Sequence, residues 1–246
     1  MKKNLFIAAI LCGSCICANA ASMVTEWTGP TEGNTYELGN ADNWSNGVPA
    51  RGNGQGPDVI FNNTGTITLS GSMVDTSDGG SITVTGNSNV TVGGTRWTGN
   101  VTIGAGSALS LSQVDFKSSD IILDGTFNLG VCGIDSGGNG ARLVFGIGGI
   151  MNVNQKIWGA SDFSVSGTLA TTSTDLAAGE FQFVTRTLIT SAGFDGGSIS
   201  LEDFTAEDGG TLTKASGIME GNAADYQGQY YLYTEDGNVK VQYVVA

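Results

Sequence analysis

Short triplets with an apolar residue at each end recur along the middle of the chain. In an extended segment, the two end residues point to one side and the middle residue points to the other. β-Branched residues dominate the triplets, and Gly, Asn, Asp or Ser lie between them, which predicts short strands separated by turns. The triplets come in pairs: Val59–Phe61 with Ile67–Leu69, Ile82–Val84 with Val90–Val92, Val101–Ile103 with Leu109–Leu111, Ile121–Leu123 with Phe127–Leu129, Leu143–Phe145 with Met151–Val153, and Phe163–Val165 with Leu169–Thr171.

The pairs are periodic. The first triplets and the second triplets each advance in steps of between 18 and 24 residues, and the two series stay in phase. A weaker apolar position follows many of the second triplets, at Met73–Val74, Trp97, Val114–Phe116, Cys132–Ile134 and Ile157–Trp158. Three short strands in every twenty or so residues predict an all-β fold, a right-handed parallel β-helix of six or seven rungs.

A β-sandwich is the competing fold, because it also contains many short strands and turns. A sandwich gives no reason for two series that share one period, and the repeated segment has few tight hairpin signals. The pattern therefore favours the β-helix, which we place over residues 58–175.

The two ends of the chain depart from the period, as the caps of a repeat protein do. Residues 21–57 carry all three prolines and are predicted to form an N-terminal cap. Residues 176–246 are predicted to hold the last rung or rungs, with Phe181–Phe183 and Leu188–Ile189 as strands. The same segment ends in an antiparallel β cap, because Asp236-Gly237 between two strand patterns is a hairpin signal.

The first twenty residues have the features of a signal peptide. Lys2 and Lys3 precede a short apolar run, and Ala18-Asn19-Ala20 predicts cleavage between Ala20 and Ala21. We therefore expect an exported protein, located outside the cell, at the cell surface or in the periplasm. After cleavage Cys132 is the one remaining cysteine, so no internal disulfide is expected, and no later apolar run predicts membrane insertion.

Three motifs near the N-terminus resemble a known group of proteins. They are Trp27-Thr28-Gly29, Asn43-Trp44 followed by Gly47-Val48-Pro49, and the entry into the first rung at Asp58–Phe61. Together with the Gly-, Asn- and Thr-rich rungs, they resemble autotransporter-passenger-like, pectin-lyase-like secreted bacterial β-helix proteins. The resemblance implies the fold and gives little information about activity. The C-terminal residues do not show the membrane barrel of true autotransporters, so self-translocation is not expected.

Composition narrows the possible functions. The chain has no His, 10 basic and 23 acidic residues, and a formal net charge of −13. The absence of His excludes a Ser-His-Asp triad and an imidazole zinc site. The excess of acidic residues disfavours nucleic acid and anionic membranes as partners.

Catalysis on the sheet faces is not expected. No acid or base occurs at the middle of the twelve paired triplets, where outward side chains of successive rungs would meet. These positions are Ile60, Thr83, Thr102, Ile122, Val144 and Ser164 in one series, and Thr68, Thr91, Ser110, Asn128, Asn152 and Ala170 in the other. An enzyme would need turn acids such as Asp75, Asp78 or Asp120. Turn acids are weak Ca²⁺ candidates without an EF-hand or nonapeptide repeat, so no cofactor is predicted.

Two basic–aromatic pairs, Arg96-Trp97 and Lys156 with Trp158, are candidate glycan-binding residues, because exposed aromatic rings stack on sugars beside basic groups. Packing in the core or at a corner is the alternative for both tryptophans. Cys132 is expected to be a buried small hydrophobe. The sequence thus predicts an exported, non-catalytic protein with a structural or adhesive role, whose partners are glycans or surface proteins. The alternatives are a carbohydrate-binding module and a divergent polysaccharide-degrading enzyme.

Overall fold

A computed structural model describes residues 23–50, 56–71, 80–117, 119–134, 141–159, 163–196 and 199–246. The predicted signal peptide with its cleavage site at Ala20 and Ala21 lies outside these residues, as do Met73–Val74 and the acids Asp75 and Asp78.

The described residues form strands and two short 3₁₀ helices, Ala41–Asn43 and Ala223–Tyr226. In chain order the strands are β1 (Val24–Glu26), β2 (Glu32–Glu37), β3 (Asp58–Phe61), β4 (Gly65–Ser70), β5 (Ser81–Val84), β6 (Ser88–Trp97), β7 (Asn100–Ile103), β8 (Ala108–Phe116), β9 (Asp120–Leu123), β10 (Thr126–Ile134), β11 (Arg142–Phe145), β12 (Ile150–Val153), β13 (Ile157–Gly159), β14 (Phe163–Leu169), β15 (Gln182–Thr190), β16 (Phe194–Asp195), β17 (Ile199–Ala206), β18 (Thr213–Lys214), β19 (Gln229–Glu235) and β20 (Asn238–Val245). Within the described residues, neither helix is long and apolar enough to cross a membrane.

Alternate strands belong to two long sheets. The first sheet has the order β1-β3-β5-β7-β9-β11-β14-β17, and every neighbouring pair in it is parallel. The second runs in parallel from β2 through β4, β6, β8, β10 and β12 to β15. The fold is therefore all-β with long sheets of parallel strands. This arrangement is compatible with a β-solenoid and unlike the antiparallel sheets of a sandwich.

Strand register confirms the first five predicted pairs. In the first sheet, Ile60 lies opposite Thr83, and the row continues through Thr102, Ile122 and Val144. In the second sheet, the row of middle residues is Thr68, Thr91, Ser110, Asn128 and Asn152. The apolar residues at the ends of these triplets are all buried and form one core between the sheets. The period and the inward direction of the side chains were both predicted correctly.

The sixth pair was predicted wrongly. Phe163–Leu169 forms one strand, β14, in the first sheet, and Leu169 lies opposite Ala206. Ser164 pairs with Arg142 instead of Val144, and Ala170 is not in a strand. The reason is Gly167, which fits inside the strand: a Cβ there would lie 2.2 Å from the carbonyl oxygen of Phe145. This glycine permits close approach of the backbones and does not mark a turn.

The predicted C-terminal rung is also a single strand. β15 pairs in parallel with β12 only through Ile189 and Thr190, and it pairs with β20 in the antiparallel direction along nearly its whole length. The hairpin between β19 and β20 is confirmed, with positive φ angles of 50° at Asp236 and 79° at Gly237. An antiparallel β element thus ends the second sheet, as predicted.

The N-terminal residues extend both sheets, since β1 pairs with β3 and β2 pairs with β4. Trp27 and Trp44 are buried and meet edge to face at 5.1 Å between ring centroids. The indole N–H of Trp27 donates to the carbonyl of Pro30 at 3.2 Å. A Cβ at Gly29 would lie 2.6 Å from the Trp27 ring, which explains the spacing of the Trp-Thr-Gly motif.

Candidate functional site

The C-terminal halves of β6, β8 and β10 form a branch of the second sheet: they pair with one another in parallel, β10 also pairs with β13, and β13 pairs with β16. Apolar side chains of this third series point inward, and they correspond to the predicted third apolar positions. The inward row is Trp97, Val114, Cys132, Ile157 and Phe194.

The next residue of each strand points outward. We call Asp115, Gly133, Trp158 and Asp195, which are aligned on four successive strands, the outer row. Asp115 and Gly133 were not predicted as site residues. Each is the middle residue of a triplet, Val114–Phe116 and Cys132–Ile134, so the triplet pattern contained the signal.

The structure separates the two predicted tryptophans. Trp97 is fully buried, and its indole N–H donates to the carbonyl of Asn100 at 3.2 Å, so neither face of its ring is open to a sugar. Trp158 is 43% exposed, whereas Trp27 and Trp44 are no more than 4% exposed. Trp158 is therefore the exposed tryptophan among the four in the chain.

Arg96 is held beside the outer row by Asp115. Its guanidinium donates through Nε and Nη2 to Asp115 Oδ2, and the Gln113 amide donates to the same oxygen at 3.4 Å. The Asp115 side chain is 2% exposed and the Arg96 side chain is 52% exposed. A buried carboxylate needs such a partner, because removing it from water without one is costly.

Asp115 keeps one unsatisfied oxygen. Oδ1 is buried and has no hydrogen-bond partner among the described residues. A Cβ at Gly133 would lie 2.5 Å from this oxygen and within 2.9 Å of Cζ2 and Cε2 of Trp158. The Trp158 ring thus lies across Gly133 and next to Asp115, in a position that a larger residue at 133 would block.

Cys132 lies in the core beneath this row. Burial, with a smaller contribution from the charge of Asp115, raises the pKa of its thiol to about 12. The thiolate that nucleophilic chemistry requires is therefore scarce at neutral pH. The expectation of a buried small hydrophobe fits this environment.

Lys156 lies apart from Asp115. Its side chain is exposed and runs beside Gly193, next to β16, whereas Arg96 and Asp115 belong to β6 and β8. The structure therefore brings Arg96 and Trp158 to the same carboxylate and leaves Lys156 on the far side of the row.

Charged residues also occur on the outer face of the first sheet. They lie two positions before the middle residues of two triplets, Ile122 and Val144. Asp120, predicted to be a turn acid, is instead the first residue of β9 and faces Arg142 of β11. Arg142 Nε donates to Asp120 Oδ1 at 2.9 Å, and this bond raises the pKa of Arg142. The acid is therefore paired with a cation on the sheet and does not lie free in a turn.

Three acids of the C-terminal segment accept hydrogen bonds from other groups of the protein. Glu207 accepts from the backbone of Thr172 at 2.9 Å, Asp208 from that of Gly210 at 2.8 Å, and Glu235 from Lys240. Within the described residues, no group of three or more Cys, Asp or Glu side chains could hold a metal ion.

A groove of about 830 Å³ crosses the turns between the first and second sheets. Ile122 and Ile147 line it and are 43% and 47% exposed. Asp124 also lines the groove, and its Oδ1 accepts from the backbone of Gly148 at 3.3 Å. The groove is mainly apolar and offers no pair of carboxylates.

Comparison of the chain with family models, curated proteins and solved structures found no match.

Proposed function

We propose that this chain is an exported, non-catalytic protein with a structural or adhesive role at the cell surface or outside the cell. The observation that carries the proposal is the polar ladder on the outer face of the second sheet. Asn128 donates to Ser110 at 3.3 Å, Asn152 donates to Asn128 at 3.0 Å, and Thr190 donates to Asn152 at 2.9 Å. Side chains that satisfy one another across strands stabilise a flat surface, and this ladder contains no acid or base.

The finer architecture belongs to the same proposal. We infer a right-handed parallel β-helix of six or seven rungs, with about twenty residues per rung, over residues 58–175. The alternation of strands between two sheets supports it, and right-handed crossovers are the rule between parallel strands. Residues 21–57 and 176–246 serve as its ends. The likeness to autotransporter-passenger-like proteins rests on the three N-terminal motifs.

Export rests on the signal peptide proposed for residues 1–20. Fractionation of the source cells, with protease treatment of intact cells, tests this part. We expect the protein outside the cytoplasm, with Ala21 as its first residue. A cytoplasmic protein that retains residues 1–20 would overturn the proposal.

The absence of catalysis is tested with the chain starting at Ala21. It is incubated with pectins, mucin glycans and plant glycans, with and without Ca²⁺, and reducing ends and unsaturated products are measured. We expect no depolymerisation. Depolymerisation that disappears in Asp75→Asn, Asp78→Asn or Asp120→Asn would favour the polysaccharide-degrading alternative.

A further inference from the structure

We propose that the outer row, together with Arg96, is a binding site for a neutral oligosaccharide. The inference deepens the proposed adhesive role and rests on it, because it names the surface that makes contact and the class of ligand that it recognises.

Trp158 supplies a flat apolar platform. Trp158 is 43% exposed, and its ring lies against Gly133. The other tryptophans lie in the core, so exposure of this ring is not a general property of tryptophan in this chain. The C–H face of a pyranose ring packs on such a surface and removes apolar area from water.

Hydrogen-bonding groups flank the platform on both sides. Arg96 is half exposed, is fixed by Asp115 and has five N–H donors, more than its bonds to one carboxylate oxygen use. Asp195, at the other end of the row, is an exposed acceptor. Asp115 Oδ1 is buried and has no hydrogen-bond partner among the described residues, and buried acceptors of this kind are normally satisfied by some donor. Donors and acceptors side by side suit hydroxyl groups, which act as both.

The length of the row indicates more than one sugar. The exposed groups of the site are Arg96 on β6, Trp158 on β13 and Asp195 on β16, whereas Asp115 and Gly133 are buried between them. β6 and β16 are four strand spacings of ~4.8 Å apart, or about 19 Å. One pyranose ring is shorter than this distance, and an oligosaccharide fits it.

Charge favours a neutral ligand. The formal net charge is −13 and Asp195 is exposed at one end of the row, so uronic and sialic acids are disfavoured. A quaternary ammonium ion could stack on Trp158 near Asp195, but the guanidinium of Arg96 stands on the same face and opposes a second cation.

Acrylamide quenching of tryptophan fluorescence tests the proposal. Acrylamide is uncharged, and Trp158 is the exposed tryptophan, so the accessible fraction of the emission comes mainly from this residue. The probes are neutral oligomers of glucose, xylose, mannose and N-acetylglucosamine, with polygalacturonate and choline as charged competitors. We expect at least one neutral oligomer to lower quenching in a saturable way. Protection by a charged competitor alone, or by no probe, would overturn the proposal.

Variants identify the residues involved. By calorimetry, we expect Trp158→Ala to weaken binding of the neutral oligomer at least tenfold, and Arg96→Gln to weaken it severalfold. Ile218→Ala is the matched control, because Ile218 is 57% exposed and lies outside the row. Unchanged thermal melting of Trp158→Ala would show that the fold is intact. Equal binding by Trp158→Ala and the wild type would contradict the assignment.

The two proposals fail in different ways. Labelled protein is applied to surfaces coated with mucin or plant fibre. If wild type and Trp158→Ala adhere equally well, the outer row is not the contact surface and the adhesive role stands. If the protein stays in the cytoplasm, the proposed function is wrong whatever the outer row binds.

Discussion

The regular middle of the molecule, β3 to β12, and its C-terminal part, β15 to β20, choose strand partners differently. In the middle, a residue pairs with one about twenty positions away, as Thr102 does with Ile122. In the C-terminal part, Ile189 of β15 pairs with Met151, and Gln182 of the same strand pairs with Val245. The first residues of β19 and β20 alternate buried and half-buried side chains as the middle strands do, whereas the adjacent residues Leu188 and Ile189 of β15 are both buried.

The difference shows that two kinds of information are separate in this sequence. Alternation decides which side chains enter the core; in the C-terminal part it holds for the first residues of β19 and β20 and fails in β15. The period decides which strands become neighbours, and it ends after β14 in the first sheet and after β12 in the second. Beyond these points, a strand pattern predicts a strand without predicting its partner.

The largest expected effect comes from reversing the alternation in the middle. Ile103 is 1% exposed, and Ile103→Asp would bury an unpaired carboxylate at a cost of about 4 kcal/mol or more. Thr102→Asp, one residue away on the outer face, should cost less than ~1 kcal/mol. Urea denaturation of both variants measures the difference. Equal destabilisation would refute the register.

The next largest effect tests how β15, in the C-terminal part, is held against the middle of the molecule. Arg186 of β15 donates to the carbonyls of Gly146, at 2.7 Å, and of Gly149 in the middle, and burial lowers its pKa. Arg186→Met leaves these carbonyls without their donor and should cost about 2–3 kcal/mol. The control is Arg142→Met, which removes an exposed ion pair and should cost less than ~1 kcal/mol. Similar urea midpoints for the two variants would show that Arg186 does not hold β15 against the middle of the molecule.

Gly167 tests why the predicted sixth pair failed. Gly167→Ala places a Cβ 2.2 Å from the Phe145 carbonyl oxygen and should cost about 1–3 kcal/mol, measured by thermal unfolding. Gly217→Ala is the control, because a Cβ at Gly217 has no neighbour within 4 Å and its expected change is within about 0.5 kcal/mol. If Gly167→Ala were as mild as the control, close strand approach would not be the reason for this glycine.

Alkaline pH should reveal an effect that is absent at neutral pH, with one titrating group in each region. The folded state keeps the Cys132 thiol protonated to a pKa of about 12, against an ordinary value of 9.0. The resulting stability is complete below pH 9 and is lost between pH 9 and 12, at up to ~1.4 kcal/mol per pH unit. Burial also raises the pKa of Tyr243, so its contribution has the same sign and disappears at higher pH.

Cys132→Ala should flatten the slope of unfolding free energy against pH from pH 9 upward. Tyr243→Phe should flatten it only from about pH 10, the ordinary pKa of tyrosine. Slopes are compared rather than absolute stabilities, because each substitution also changes packing. An unchanged slope in Cys132→Ala would mean that the thiol titrates alike in the folded and unfolded chain.

The sequence pattern predicted Arg96 and Trp158 as site residues. Strand register explains why Trp97 is buried instead and why Asp115 was not predicted. Arg96-Trp97 and Lys156-Ile157 occupy equivalent positions, so Trp97 aligns with Ile157 and enters the core. Trp158 comes one residue later, and a shift of one residue in a strand moves a side chain to the other face. Asp115 was missed because it is a single acid between two apolar residues. Its partner Arg96 is 19 positions away, close to one period.

The parallel register has a consequence for how this kind of chain can change in length. Within the middle, each strand bonds only to the strands one period before and after it. Duplication of one whole period by a genetic event would give every new strand the same kind of neighbours, while both ends stayed as they are. Each duplication between β4 and β12 would lengthen the molecule by one strand spacing, ~4.8 Å. The length of the molecule could therefore evolve in equal increments, while the residues that contact a ligand stay unchanged.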